Sequence, residues 1–129
     1  MLAIDTNVVV RYLVRDDVAQ FERATSIIEN ESVFVTPTVV LETEWVLRDF
    51  YQLSREQVLT FLRHFCGLAT VTVGEALAVE RALSFADGGL DFADALHLAQ
   101  SEGCNAFVTF DKRLERKARG LDHVDVRLA

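Results

Sequence analysis

Short apolar runs alternate along the chain with longer stretches in which apolar residues recur every three or four positions. The short runs are rich in β-branched and aromatic residues, which is typical of buried strands. They read LAI at 2–4, SVFV at 32–35 and NAFVTF at 105–110, and HVDVRL at 123–128 predicts a last edge strand. Strands that alternate with helices predict an α/β domain with a mainly parallel central sheet and helices on both faces.

Capping residues mark where the predicted helices begin in the first half of the chain. The apolar spacing at 17–30 predicts an amphipathic helix. Thr36 followed by Pro37 is typical of an N-cap with proline at the first helical position. Ser54 with Gln57 three residues later predicts a capping box for the next helix.

The second half of the chain carries similar signals. A helix is predicted at 74–86, where a glycine pair then breaks it. Asp91 opens a helix at 92–103, which Gly103 is expected to end. Asp111 is the expected cap of a final helix.

The segment NVVVRYLV at 7–14 allows two interpretations. Its three consecutive valines favour a strand. Reading Asp5, Thr6 and Asn7 as a turn favours a helix, which is the prediction adopted.

Length and composition favour one small domain. The 129 residues are half hydrophobic and include a single proline, so we predict one domain over residues 1–129. The sequence contains no recognisable secretory signal and no stretch of about 18 apolar residues. Its two cysteines, Cys66 and Cys104, are too few for a disulfide framework or a structural zinc site. We therefore expect a cytoplasmic protein without a membrane segment.

The net charge of −7 argues against a broad nucleic-acid surface, because Lys and Arg supply the affinity for phosphates. The charge is uneven, however. The segment KRLERKAR, residues 112–119, is basic apart from Glu115. A local phosphate-binding patch and a solvated helix face both remain open.

Two acids directly follow predicted strands: Asp5 follows LAI and Asp111 follows NAFVTF. Ligands of parallel α/β sheets bind beyond the carboxyl ends of strands, so both acids are site candidates. Either could instead merely cap the helix that follows. The sequence pattern alone leaves these alternatives open.

Two further acid pairs lie on predicted helices. Asp91 and Asp94 are three positions apart, in the first turn of their helix, where carboxylates are favoured. Glu42 and Glu44 point about 200° apart around a helix axis, so they cannot face one pocket together. Periodicity does not show which of these two glutamates faces the pocket. The one that does not is expected to face solvent. His97, three residues after Asp94, is interpreted as a core or interface residue.

Acids gathered from distant parts of a chain suit a hard divalent cation. Mg²⁺ and Mn²⁺ prefer oxygen ligands, and such an ion can activate water for attack on phosphorus. The sequence has no phosphate-binding glycine loop, nucleophilic serine elbow or Cys/His zinc spacing. A metal-dependent reaction at phosphorus is therefore the favoured chemistry.

Four motifs in order, IDTN, TVVLETEWVLR, LDFADALHLA and VTFDKRLER, resemble the PIN-domain family across the whole chain, and most closely its small VapC-type toxins. The resemblance implies a three-layer PIN-like fold with one catalytic, metal-binding acid in each motif. Carried over residue by residue, these acids are Asp5, Glu42, Asp94 and Asp111. The same resemblance assigns supporting roles around the acids or the metal to Thr6, Asn7, Asp91 and Thr109.

The resemblance implies an Mg²⁺- or Mn²⁺-dependent endoribonuclease that hydrolyses RNA as the toxin of a type II toxin–antitoxin pair. Its implied partners are a cognate antitoxin and a second copy of the chain in a homodimer, with DNA bound only indirectly through the antitoxin. The alternative is a regulatory module that occupies RNA without cutting it. Four basic residues are our own candidates for contacts with the substrate: Arg11, Arg48, Lys112 and Arg113.

Overall fold

The computed structural model describes all 129 residues and contains seven α-helices, one π-helical segment and five strands. The chain divides into two compact units, Met1–Ala76 and Leu77–Ala129. All strand pairs are parallel. The predicted α/β class and parallel pairing are therefore confirmed. No helix is long and apolar enough to cross a membrane.

The first unit contains a three-stranded sheet and most of the helices. Its elements are β1 (Leu2–Ala3), α1 (Thr6–Val14), α2 (Val18–Asn30), β2 (Val33–Val35), α3 (Pro37–Trp45), the π-helical segment (Val46–Phe50), α4 (Arg55–Cys66) and β3 (Val71–Val73). The sheet order is β1-β2-β3, with Leu2 opposite Val33 and Val33 opposite Val71. Each crossover between neighbouring strands contains helices, as parallel pairing requires.

The second unit contains a two-stranded ladder and three helices. Its elements are α5 (Ala76–Asp87, from the last residue of the first unit), α6 (Phe92–Gln100), β4 (Phe107–Thr109), α7 (Lys112–Ala118) and β5 (Val126–Leu128). Strands β4 and β5 pair in parallel, with Phe107 opposite Val126, and α7 packs against both.

The capping predictions hold in detail. The Thr36 hydroxyl accepts a hydrogen bond from the backbone N–H of Val39, and Pro37 begins α3. Ser54 and Gln57 form the reciprocal capping box of α4. The segment after Asp5 is helical, as predicted, and its valines Val9 and Val10 are buried. Burial of one helix face therefore outweighs the strand preference of the valine run.

Some boundaries differ from the predictions. Strand β3, with the sequence VTV, was not predicted, because three alternating residues are too short a signal on their own. Helix α6 ends at Gln100 rather than running to Gly103, and the residues between them form a turn in which Gly103 has a φ of +91°. The helix predicted after Pro37 changes to π-helical geometry at Val46.

Candidate functional site

Asp5 lies between β1 and α1, where it caps the helix. Its Oδ1 atom accepts a hydrogen bond of 2.7 Å from the backbone N–H of Thr6. The residue is exposed, and no hydrogen bond occupies its other carboxylate oxygen. The two sequence-based interpretations are therefore compatible, because capping uses one oxygen and leaves the other available.

Thr6 connects the beginning of α1 to α3. It is buried, and its Oγ1 donates a hydrogen bond of 3.3 Å to Oε1 of Glu42. Helices α1 and α3 pack against each other, which brings residues 36 positions apart into contact. Within the first unit, the structure thus brings Glu42 to the residue that directly follows Asp5.

Glu44 has a different role from Glu42. It is buried with 6% of its surface exposed, and its Oε2 accepts a hydrogen bond of 2.8 Å from Nε of Arg48 one turn later. The expectation that Glu44 faces solvent is wrong. Helix α3 carries apolar residues around most of its circumference, so its second glutamate is enclosed and needs a positive partner. Arg48, a predicted substrate contact, makes this ion pair.

Arg11, another predicted substrate contact, belongs to a polar cluster. Its guanidinium donates to Oδ1 of Asp16 at 2.9 Å, to the hydroxyl of Tyr51 at 3.1 Å and to the side chain of Gln20. Tyr51 in turn donates to the other oxygen of Asp16 at 2.8 Å. This hydrogen bond, with the nearby charge of Arg11, lowers the pKa of Asp16. The cluster holds Arg11 in one orientation.

In the second unit, Asp91 and Asp111 each cap a helix. Asp91 accepts a long hydrogen bond of 3.4 Å from the backbone N–H of Asp94 at the start of α6. Asp111 accepts from the backbone N–H groups of Arg113 and Leu114 at the start of α7. Like Asp5, both carboxylates belong to exposed residues.

Asp94 is the carboxylate that does not cap its helix. Burial raises its pKa, and the negative charges of Asp91 and Asp111 raise it further. His97 and Lys117 act in the opposite direction. The second unit therefore places three carboxylates within electrostatic reach of one another. A cation would relieve their repulsion.

Thr109 and Asn7, two predicted supporting residues, occupy distinct positions. The Thr109 hydroxyl accepts a hydrogen bond of 3.0 Å from the backbone N–H of Asp111, which fixes the turn from β4 into α7. Asn7 is exposed in the first turn of α1 and lines a cavity in the first unit.

The basic segment 112–119 divides into paired and unpaired cations. Arg119 forms an ion pair with Glu115 at 2.8 Å, and Lys117 donates to the carbonyl oxygen of Gly89 at 3.1 Å. The remaining cations are exposed and form no ion pair: Lys112, Arg113 and Arg116. These three residues are therefore the cations of α7 that remain available to an anion.

The donor groups fit a hard divalent cation. Every candidate ligand is a carboxylate, and oxygen donors are those that Mg²⁺ and Mn²⁺ prefer. A bound cation would also relieve the repulsion between Asp94 and the carboxylates of Asp91 and Asp111. The structure contains no group of three or more His, Cys, Asp or Glu side chains close enough together to hold a metal.

Several contacts around the acids had no signal in the sequence. The Thr6–Glu42, Lys117–Gly89 and Tyr51–Asp16 hydrogen bonds join residues 36, 28 and 35 positions apart. Short-range patterns cannot report such pairs, because only packing between elements brings them together. Thr6 was identified through its motif, but its partner was not.

Comparison with known families gives one further finding. A family model described as PIN domain matches residues 2–120. The matched span includes all four predicted catalytic acids, two in each unit. No curated protein matches the chain significantly.

Proposed function

This chain belongs to the PIN-domain family, and we propose that it is an Mg²⁺- or Mn²⁺-dependent endoribonuclease. Members of the family are generally nucleases that act on nucleic acid with divalent metal ions. We also propose that it is the toxin of a type II toxin–antitoxin pair. The family match supports the nuclease class, and the VapC-like form of the four motifs supports the toxin assignment. The presence of an acid in every motif is the single observation that carries the catalytic proposal.

The proposed metal ligands are the four acids of the motifs, with residues 1–129 working as a single PIN domain. These ligands are Asp5, Glu42, Asp94 and Asp111. When bound, the cation supplies activation of water and stabilisation of the charge that develops at phosphorus and at the leaving oxygen. Its carboxylate donors and the raised pKa of Asp94 support this assignment.

The surrounding residues hold the acids in place. The Thr6 hydroxyl orients Glu42 through its hydrogen bond, and the rigid start of α1 orients Asp5. Thr109 fixes the backbone of Asp111, and Asp91 fixes the first turn of α6. Such outer-sphere contacts hold a ligand in its productive rotamer, which is why their loss typically lowers activity or metal affinity.

RNA is the proposed substrate, bound through its phosphates. The unpaired cations of α7 follow Asp111 directly in the chain and support this role for Lys112 and Arg113. Arg11 and Arg48 are engaged in contacts with Asp16 and Glu44, so their proposed contribution is weaker. Because few cations are available on a protein of charge −7, few RNA phosphates can be contacted, so we expect a modest affinity for RNA with a shallow dependence on salt.

The toxin role implies partners beyond RNA. We propose a cognate antitoxin that neutralises the enzyme, a homodimeric assembly, and contact with DNA only through the antitoxin. We also propose that the protein acts in the cytoplasm. Induction of the chain alone should arrest growth, and co-expression of the cognate antitoxin should restore it.

The rate of RNA cleavage by variants of two proposed metal ligands tests the catalytic proposal. Glu42→Gln and Asp5→Asn should lower the rate of RNA cleavage by more than the roughly 10- to 100-fold that loss of an outer-sphere partner costs. Asn remains a good N-cap, so Asp5→Asn should keep the fold. The measurement is the rate at which labelled single-stranded RNA is cut in Mn²⁺, with circular dichroism to verify folding.

Glu44→Gln is the matched control, on the same helix and two positions away. It weakens the ion pair with Arg48 and should reduce stability, but folded Glu44→Gln should still cut RNA. Full activity of Asp5→Asn or Glu42→Gln, or undiminished cleavage in excess EDTA, would refute the mechanism. RNA that is bound but never cut by the wild type would favour the regulatory alternative.

A further inference from the structure

A cavity of about 320 Å³ lies in the first unit where α1 and α2 pack against each other. Its lining contains three apolar residues, Val8, Ala24 and Ile27, which we call the floor. The polar lining residues, which we call the edge, are Asn7, Arg11, Gln20 and Arg23. This volume is in the range of small-ligand sites, which are largely apolar with a few polar groups that fix orientation.

The two arginines at the edge differ in their pairing. Arg11 is held by Asp16, Tyr51 and Gln20, so its position is fixed and much of its charge is offset. Arg23 is exposed and forms no ion pair. The guanidinium of Arg11 is therefore held in place, whereas the guanidinium of Arg23 is available to an anion.

The cavity also begins close to the proposed reaction centre. Asn7 is two residues after Asp5, in the first turn of α1, and lines the cavity. An RNA strand whose phosphodiester lies at Asp5 would place a neighbouring nucleotide close to Asn7 and the cavity. A side-chain amide such as that of Asn7 can donate to and accept from the edge of an unpaired base.

We propose that the cavity between α1 and α2 binds one nucleotide of single-stranded RNA next to the cleaved phosphate. The base lies on the floor formed by Val8 and Ile27, Asn7 contacts its edge, and Arg23 binds its phosphate. This inference rests on the proposed nuclease function and adds to it a determinant of cleavage sequence. The combination of apolar lining residues, the side-chain amide of Asn7 and the unpaired Arg23 favours a nucleotide over an apolar peptide side chain.

Binding of short RNA to Arg23→Gln tests the phosphate contact. The probe is a fluorescent single-stranded oligoribonucleotide, and binding is measured in the Asp5→Asn background so that no cleavage occurs. Loss of one charge-assisted contact should weaken binding about tenfold. The slope of log affinity against log salt should fall by about 0.7, the value for one phosphate contact on a single strand. Arg63→Gln, an exposed arginine on α4, is the control for net charge and should leave both quantities unchanged.

Sequencing of cleaved ends tests the base contact. In the otherwise wild-type enzyme, Ile27→Phe narrows the floor and should change the nucleotide preferred at one position beside the cut, with folding verified by circular dichroism. Arg23→Gln should raise KM for RNA about tenfold and leave kcat unchanged. A randomised RNA pool, cut by each variant in Mn²⁺, supplies the preference.

The outcomes separate this inference from the nuclease proposal. If the wild type does not cut RNA but Arg23→Gln still weakens oligonucleotide binding selectively, the nuclease proposal fails and the nucleotide site stands. If the wild type cuts RNA and Arg23→Gln binds and cuts like Arg63→Gln, the nucleotide site is refuted. Unchanged cleavage with lost neutralisation by a co-expressed antitoxin would assign the cavity to a protein partner and also refute it.

Discussion

Three of the five candidate carboxylates in the motifs cap helices, and two, Glu42 and Asp94, do not. Asp5, Asp91 and Asp111 each accept a hydrogen bond from the backbone at the start of a helix. Asp94 instead lies within the first turn of α6, where burial and two neighbouring negative charges raise its pKa. Its ionised form is therefore unfavourable for folding in the absence of a cation.

Replacing Asp94 should stabilise the metal-free protein. Because the pKa of Asp94 is raised in the folded state, ionisation disfavours folding. This penalty develops as the pH rises from the ordinary carboxyl pKa of about 3.9 through the raised value. Asp94→Asn should therefore have the higher free energy of unfolding at neutral pH, and the difference should vanish below about pH 4.

Urea unfolding in EDTA at both pH values measures this difference. Asp125→Asn is the control, because that exposed acid forms an ion pair with Arg127 and should gain no stability when neutralised. A lower free energy of unfolding for Asp94→Asn at neutral pH would contradict the interpretation of the raised pKa.

At the scale of elements, three of the four motif acids lie at or near the start of a helix, whereas Glu42 lies in the middle of α3. Asp5 and Asp111 connect a short strand to a helix, and Asp91 follows the turn after α5. These junctions were predictable because N-cap preference is local and depends on a few residues. The unpredicted β3 and the π-helical segment had no comparable signal, because β3 is only three residues long and no side chain caps the π-helical segment.

Two helix caps in the chain should differ in their contribution to stability. Ser54→Ala removes the reciprocal capping box of α4 and should lower the free energy of unfolding by about 0.5–2 kcal/mol. Asp91→Ala removes a longer hydrogen bond and also removes a charge that repels Asp94. It should therefore cost less than Ser54→Ala when both are measured by urea unfolding at neutral pH in EDTA. An equal or larger cost for Asp91→Ala would show that its capping role outweighs the repulsion.

At the scale of the whole molecule, acidic residues outnumber basic ones, and the net charge is −7. The family match spans both units and includes an acid pair in each. If a cation binds these acids only in the folded chain, it must also stabilise the fold, because a ligand that binds only the native state shifts the unfolding equilibrium.

Manganese should raise the unfolding temperature of the protein. The gain should grow with the logarithm of the metal concentration and reach about 2.7 kcal/mol at one hundred times Kd. Thermal unfolding followed by circular dichroism in MnCl₂ and in EDTA measures it. Asp94→Asn should lose most of the gain, whereas Asp122→Asn, an exposed acid outside the motifs, should retain it. Equal gains in both variants would place manganese outside the proposed ligand set.

The sequence by itself determined the α/β class and the helix starts at Thr36, Ser54, Asp91 and Asp111. These features depend on hydrophobic periodicity, capping and short motifs, which act over a few residues. Tertiary structure decided that Thr6 binds Glu42, that Glu44 is buried with Arg48, and that Asp111 raises the pKa of Asp94. Helix packing and the electrostatic environment it creates set these features, and neither is encoded in any local pattern.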